Sequence, residues 1–414
     1  MMRALTNRGP FVASLLLAGC SEFAVAPAPE GPVSAAPTVE HLSAHVPTFD
    51  ISADAGAFAD MLARFEDDVE IEAAVSLHRG GREVFTAAPA EIQVKGNGSA
   101  GFALKSLGVK LEDARDNRDR RTLDAPALLP GHRLDEVRSF RLRNGGNDFL
   151  HTLLKDLGYA RMVAASDLAV VPYYGEPAAA FVNGEFYGLL NLRTEGNANG
   201  LSRVTGIRKR DLLLAEVNFV PDAAEAQAFE VKEGDPAVFA QFEAAIRDAD
   251  HAAAMSMVDE ASFIDFVLVH TVFGIGDWPW NNVRVYGETG GPLRFMAFDF
   301  DLAAERHRDE GLLFHIREGA PNYLTDLFDL AYDDDDFRER FWTRRDELFE
   351  RGALAPERLR ENFETLAETY APVIEHQIAT YGHPESRAAW YLKLESYVEA
   401  YAQRYRLLER KRRE

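Results

Sequence analysis

The order of its segments predicts an α+β protein. Three observations carry that reading. Strand-like runs crowd the first part of the chain, helical periodicity dominates after residue 236, and Asn183-Gly184 embeds a hairpin signal between two apolar β-rich runs. In chain order, "DAGAFADMLARF" (54–65) has helical spacing and predicts a short helix. "EIEAAVSLH" (70–78), "EVFTA" (83–87) and "EIQVK" (91–95) read as strands, and "GFALKSLGVKLE" (101–112) as another. The stretch 113–136 is polar and irregular. "SFRLRN" (139–144) predicts a strand, and "DFLHTLLKDLGYARMV" (148–163) an amphipathic helix. "AAAFVNGEFYGLLNLRTE" (178–195) is the hairpin. The pattern from 236 to 275 is helical, "GPLRFMAFDFDLA" is a strand, and everything beyond "APNYLTDLFDLAY" is helical and charged.

The chain has 414 residues, 47% hydrophobic and 11% aromatic, enough for one large domain or two modest ones. Its 45 basic and 67 acidic side chains give a net charge of −22. That balance speaks against a general nucleic-acid-binding role, which needs a basic footprint, and leaves room only for a local basic cleft.

"MMRALTNRGPFVASLLLAGC" carries Arg3 and Arg8 before an apolar run that ends in small residues, the pattern of a signal peptide. "LAGC" resembles a bacterial lipoprotein cleavage box, which makes Cys20 the expected lipidation site and residues 1–19 the removed leader. The alternative is an ordinary signal peptide with a chance cysteine. Cys20 is the sole cysteine, so no intramolecular disulfide can form. Residues 20–44, rich in Pro, Ala and Ser, read as a flexible tether. The expected location is the bacterial envelope, periplasmic or at the outer membrane or cell surface.

The stretch "GDWPWNNVRVY" (276–286) sets Asp277 five residues ahead of Asn282, and "FDFD" (298–301) follows. "VRVY" alternates as a strand, "GETGG" is a turn and "LRFMAF" returns. A turn centred near Thr289 puts Asn282 beside Met296 and Asp277 near Asp301. Asp277, Asn282, Asp299 and Asp301 then gather at one end of one hairpin, with Asp299 and Asp301 on one sheet face. Crowded oxygens of this kind repel unless a cation sits among them, and a hard divalent ion such as Mg²⁺ fits. Asp-x₄-Asn followed by a hairpin and an Asp is also the layout of a protein-kinase catalytic loop and its metal-binding acid. The plainer alternative is that Asp277 and Asn282 cap a tight turn.

"VKGNGSAGFALK" holds Gly96-x-Gly98-x-x-Gly101 between two strands. Glycine there lets backbone N–H groups approach a phosphate, although a simple hairpin turn would use the same residues. No helix follows, which disfavours a dinucleotide site. Lys105 shares an apolar face with Leu107, Val109 and Leu111. Either its stem packs while its head reaches water, or it meets an anionic partner, with Glu195 as a candidate.

These motifs together resemble the CotH-type (spore coat protein H) atypical kinases. "IQVKGNGSAGFALKSLGVKL" is similar to that family's "RGNSS…KKSYRIKF" segment, and "FRLRNGGNDFLHTLLKDLG" to its strand-helix motif. "FVNGEFYGLLNLRTE" resembles its "NGEYxGxYxLxE" hairpin, and "GDWPWNN…FMAFDFD" its catalytic Asp and "WDxD" pair. The likeness runs from about residue 46 to about 375. It implies a kinase-like fold with a β-rich N-terminal lobe and a helical C-terminal lobe over 45–380, followed by a helical extension over 381–414. It also implies phosphorylation of protein Ser or Thr by ATP with Mg²⁺ or Mn²⁺. By that resemblance Asp277 is the catalytic acid, and Asn282 with Asp299 or Asp301 holds the metal. Lys105 and Lys110 match the family's lysines, and Lys95, Gly96 and Gly98 belong to the nucleotide loop. Lys95 stands in place of the usual Arg, keeping charge without the bidentate fork. The implied partner is a secreted or envelope protein. The competing reading is a non-catalytic, lipid-anchored adhesin or envelope scaffold that retains the fold.

Other features point nowhere else. "YDDDDFRER" (332–340) lacks the glycine and spacing of a calcium loop and reads as a solvated helix start. No HExxH or GxSxG occurs, so zinc-protease and hydrolase-elbow chemistry find no support. The basic tail "RYRLLERKRRE" suits the last turns of a helix.

Overall fold

The computed structural model describes residues 36–111, 123–124, 129, 136–137, 139–217, 229–304, 322–350 and 352–411. Cys20 and the expected leader lie outside the described residues, as does most of the irregular stretch 113–136. Within the stretch 20–44 expected as a tether, α1 (Val39–Ser43) is helical and buries Leu42.

The elements then run β1 (Thr48–Ala53), α2 (Ala55–Ala63), β2 (Glu70–Arg79), β3 (Arg82–Lys95) and β4 (Ser106–Leu111). Two short strands follow, β5 (Leu123–Asp124) and β6 (Glu136–Val137), then β7 (Ser139–Arg143). Next come α3 (Lys155–Ala164), β8 (Val171–Pro172), β9 (Gly175–Val182), β10 (Glu185–Thr194), α4 (Ala198–Thr205), β11 (Leu212–Val217) and β12 (Glu230–Glu233). The later part contains α5 (Pro236–Arg247), α6 (His251–Ser256), α7 (Glu260–Phe273), β13 (Val283–Glu288) and β14 (Arg294–Ala297). It ends with α8 (Tyr323–Tyr332), α9 (Asp335–Phe349), α10 (Pro356–Tyr370), α11 (Ile374–Tyr381) and α12 (Arg387–Lys411).

The architecture is α+β, as the segment order predicts. The expected two-lobe outline is not drawn cleanly. The β-rich part closes into a seven-stranded barrel, β1-β2-β3-β4-β7-β10-β9, and a second sheet, β12-β11-β13-β14-β8, lies among the later elements. Barrel closure comes from a parallel pairing of β1 with β9, the other neighbours being antiparallel. Period-two alternation divides the barrel wall into two faces. Ile92, Val94, Leu107, Val109, Phe140, Leu142 and Leu192 fill the core. The opposite face carries one register row of Gln93, Gly108, Arg141 and Arg193. Beside it, Lys95 pairs with Ser106, and Arg143 with Asn191. The Asn-Gly hairpin forms as read, with Asn183 and Gly184 both at positive φ.

The predicted helix 148–163 is shorter than expected. Residues Gly146–Leu150 form a 3₁₀ turn, and the α-helix starts only at Lys155. Asp148 is the reason. Its buried carboxylate accepts from the backbone N–H of Thr152, Leu154 and Lys155 at 3.3, 3.1 and 2.9 Å. The Leu154 and Lys155 amides are taken by this side chain, the Thr152 N–H is shared with the Asp148 carbonyl at 3.1 Å, and Leu153 turns to φ +66°. The strand expected over 101–112 likewise begins only at Ser106, and that of "GPLRFMAFDFDLA" stops at Ala297.

Helix α7 is mostly apolar and is buried from Ser262 to Phe273, with Asp265 inside that stretch paired to Arg344. Gly274 ends it in the left-handed conformation, and Arg404 of α12 donates to the carbonyls of Val272 and Thr271 at 3.1 and 2.5 Å. The last helices dock onto the barrel: Gln377 accepts from the Leu189 N–H at 2.9 Å, and Trp390 Nε1 donates to the Thr152 carbonyl at 3.0 Å. Among the described residues no helix is long and apolar enough to cross a membrane.

His270, on α7, donates through Nδ1 to the Phe266 carbonyl at 2.8 Å, its Nε2 has no partner among the described residues, and burial lowers its pKa to about 3. The unfolded chain takes up a proton there below about pH 6.5, whereas the folded protein does not. Stability from this site is full above pH 6.5 and falls with pH. Between pH 7.5 and 5 the wild type should lose about 2 kcal/mol more unfolding free energy than His270→Leu in urea titrations. Parallel losses in the two proteins would show that His270 is protonated in the fold.

Candidate active site

The loop between β3 and β4 forms one wall. Gly96 has φ +115°, and a Cβ there would lie 2.6 Å from Ser99 Oγ, so glycine is required at this position. Gly98 meets no such restriction and opens a 3₁₀ turn. Asn144, just after β7, ties the loop down. Its Nδ2 donates to the carbonyls of Ser99 and Leu104 at 3.2 and 2.7 Å, while its Oδ1 accepts from Ser106 Oγ and the Gly146 N–H, both at 3.0 Å.

The opposite wall comes from the segments flanking the β13–β14 hairpin. The observed register pairs Arg284 with Met296, so the hairpin is centred one residue later than expected. Asp277 Oδ2 accepts from the side-chain amides of Asn281 and Asn282, both at 2.9 Å. Gly276 donates its N–H to the Leu302 carbonyl at 3.1 Å, joining the approach to Asp277 with the exit from Asp301. Asn282 and Asp299 both adopt positive φ, +60° and +63°. Asp299 and Asp301 lie beyond the end of β14, so a turn, and not sheet alternation, aims them.

Arg143 brings those two acids together. Its Nη2 donates to Asp299 Oδ1 and, at 2.9 Å, to Asp301 Oδ2. Its Nε lies 3.5 Å from Asp156, whose carboxylate also faces Arg193 at 3.2 Å and accepts from the Phe300 N–H at 2.8 Å. Burial raises the Asp299 carboxyl to about 6 against the pull of Arg143, with Asp301 and Asp156 adding repulsion. Asp301 is raised as well, first by burial. For Asp156 burial is outweighed by Arg193, Arg143 and the Phe300 N–H, and its pKa falls.

Both walls open on one cavity of about 620 Å³, lined by Lys95, Gly96, Gly98, Arg143, Asp277, Asn282, Asp299 and Asp301 among others. These expected site residues therefore meet. Three others do not. Lys105 Nζ donates to the Ala100 carbonyl at 2.6 Å and sits 4.1 Å above the Phe65 ring, bracing the loop from behind. Lys110 pairs with Glu91 at the surface. Glu195 accepts from Arg141 at 3.3 Å, which replaces the expected partnership with Lys105. Glu195, Arg141 and Lys95 line an adjoining cavity of about 490 Å³ on the polar face of the barrel.

Sequence reasoning missed Arg143, Asp156, Arg193 and Asn144. The alternation in "SFRLR" places its arginines on the polar face, but nothing local pairs Arg143 with an acid 156 positions away.

Among the described residues no group of three or more His, Cys, Asp or Glu is spaced to hold a metal by itself. Magnesium requires less, commonly one or two carboxylates with phosphate and water supplying the rest. The hydrogen bonding leaves such a set. Asp299 Oδ2, Asp301 Oδ1 and Asn282 Oδ1 take no hydrogen bond among the described residues, and all three side chains line the cavity.

Asp156 is the shared anion of this network, and removing it takes the carboxylate from buried Arg193 while Arg143 keeps Asp299 and Asp301. Asp156→Ala should lower the unfolding free energy by about 3–5 kcal/mol, with most of the loss recovered in Asp156→Leu/Arg193→Met. A loss below about 1 kcal/mol in urea titrations would mean that the pairings carry little.

None of the curated proteins compared matches the chain. The model of one family, described as CotH kinase protein, matches residues 92–408. The match begins within β3 and runs into α12, so it covers the acid cluster, the glycine loop and the C-terminal helices. The chain belongs to the CotH kinase protein family.

Proposed function

We propose that this protein is a magnesium-dependent kinase that transfers the γ-phosphoryl group of ATP to a Ser or Thr hydroxyl of a secreted or envelope protein. One observation carries the reading: the glycine loop and four oxygen-bearing side chains, Asp277, Asn282, Asp299 and Asp301, line the same cavity. Family membership agrees with it. The β-rich barrel and the later helices would then serve as the two lobes of a kinase-like fold.

The chemistry asks for little covalent participation, since phosphoryl transfer depends on positioning and on charge stabilisation. Asp277, fixed by Asn281 and Asn282, would accept a hydrogen bond from the acceptor hydroxyl. As the hydroxyl oxygen bonds to the γ-phosphorus and the bond to the β-phosphate oxygen breaks, its proton passes to Asp277 and ADP leaves. Backbone N–H groups around Gly96 and Gly98, with the Lys95 ammonium, would hold the phosphates. Asn282, Asp299 and Asp301 would hold Mg²⁺ or Mn²⁺, which neutralises charge developing on the phosphates. Lys105 acts indirectly, by bracing the loop. Export and lipid anchoring rest on residues 1–20, with Cys20 as the modified residue.

The non-catalytic alternative, an anchored adhesin or scaffold, draws on the Arg143 contacts, which already supply Asp299 and Asp301 with a cation. Transfer of label from γ-labelled ATP to a casein-like acceptor separates the two. Asp277→Ala should lower transfer by about 10²–10⁴-fold. In calorimetry Asp299→Ala and Asp301→Ala should abolish saturable binding of magnesium-ATP. Absence of nucleotide binding with any divalent ion would leave the scaffold reading.

A further inference from the structure

The two acids that follow β14 each commit one oxygen to the same guanidinium. Arg143 Nη2 donates to Asp299 Oδ1 and to Asp301 Oδ2, the second at 2.9 Å. Asp301 Oδ2 also accepts from the Asn147 backbone N–H at 2.9 Å and from its side-chain amide at 3.4 Å. Gly146, at φ +63°, closes the flank, since a Cβ there would lie 1.9 Å from Asp301 Oδ2 and 2.6 Å from Arg143 Nη2. Backbone is packed against the pair on this side, which excludes a hydrated ion.

Arg143 is not a loose surface side chain that could swing away. It is 12% exposed, emerges from a barrel strand and faces Asp156, which is itself held by fully buried Arg193. A guanidinium stays charged at any working pH, so it acts as a fixed positive charge. Of the four oxygens of these two acids, Asp299 Oδ2 and Asp301 Oδ1 are left on the cavity side, beside Asn282 Oδ1, with Asp277 lining the same cavity. Such a set would suit one hard divalent ion, with phosphate and water supplying the remaining oxygens. A second ion, about 3.5–4 Å from the first as in two-metal sites, would need carboxylate oxygens that Arg143 already occupies.

We propose that Arg143 is a resident cation standing where a second metal ion would bind, so that the site takes one divalent ion per chain and no more. This rests on the magnesium-dependent reading above. Arg143 is a positioning residue, because it touches the two acids and not the reacting atoms.

Manganese counted by electron paramagnetic resonance tests this, with the ion alone and with an ATP analogue that cannot be hydrolysed. The wild type should bind one Mn²⁺ per chain. Arg143→Lys, which keeps the charge, should stay at one, and Arg143→Met should rise to two with a Mn–Mn dipolar signal. Two ions in the wild type, none at all, or one in a Met variant that folds by circular dichroism would overturn the proposal. Should the Met variant fail to fold, the counts for the wild type and Arg143→Lys decide. Phosphoryl transfer has no part in the count, so an inactive protein holding one ion would sink the kinase reading and leave this inference standing.

Discussion

A buried carboxylate shared by two arginines joins the two parts of this molecule. Asp156 sits at the start of α3, and the arginines that face it come from β7 and β10 of the barrel. Its other oxygen accepts the Phe300 N–H, between the two acids of the "DFD" segment. One anion thus sets the distance between the barrel's polar face and the chain leaving the β13–β14 hairpin. Two cations around one acid leave surplus positive charge, and Arg143 delivers it to Asp299 and Asp301. Burial without that charge would push both carboxyls towards their neutral form.

Asp277 is positioned by a different device. Helix α7 packs largely through apolar side chains, with buried Asp265 paired to Arg344 and Ser262 accepting from the Phe295 N–H, and its C-terminus is held by Gly274 and by Arg404 from α12. Three residues later the chain reaches Asp277. The Gly276–Leu302 hydrogen bond then ties this approach to the segment that follows Asp301. The last helix therefore bears on the position of Asp277 through Arg404, at the end of α7.

The glycine loop is likewise defined by what braces it. Asn144 uses both donors and both lone pairs of its amide on the loop and its neighbours, and Lys105 spends its ammonium on the Ala100 carbonyl. Lys95 is the lysine of this segment that lines the cavity with the acids, its stem lying across Gly108, where a Cβ would come within 2.9 Å of it. A side chain any larger than hydrogen at 108 would force that stem aside.

Local patterning determined much of this protein. Alternation and helical spacing located most of the barrel strands and the later helices, because side-chain direction repeats every two or 3.6 residues whatever lies opposite, but they gave no sign of β1, β8, α4, β11 or β12. The Asn183-Gly184 turn was legible for the same reason: only residues tolerant of positive φ fit it. Asp277, Asn282, Asp299 and Asp301 could be named because a short hairpin limits how far apart its ends can lie. Tertiary structure alone decided that β1 meets β9 and closes a barrel, that Asp148 interrupts a helix, and that Arg143 lies between two acids 156 and 158 positions away. It also turned Lys105, Lys110 and Glu195 to other partners. Periodicity reports which face a residue occupies. Which faces meet depends on long-range packing and on the need to pair every buried charge, and neither is written in any one segment.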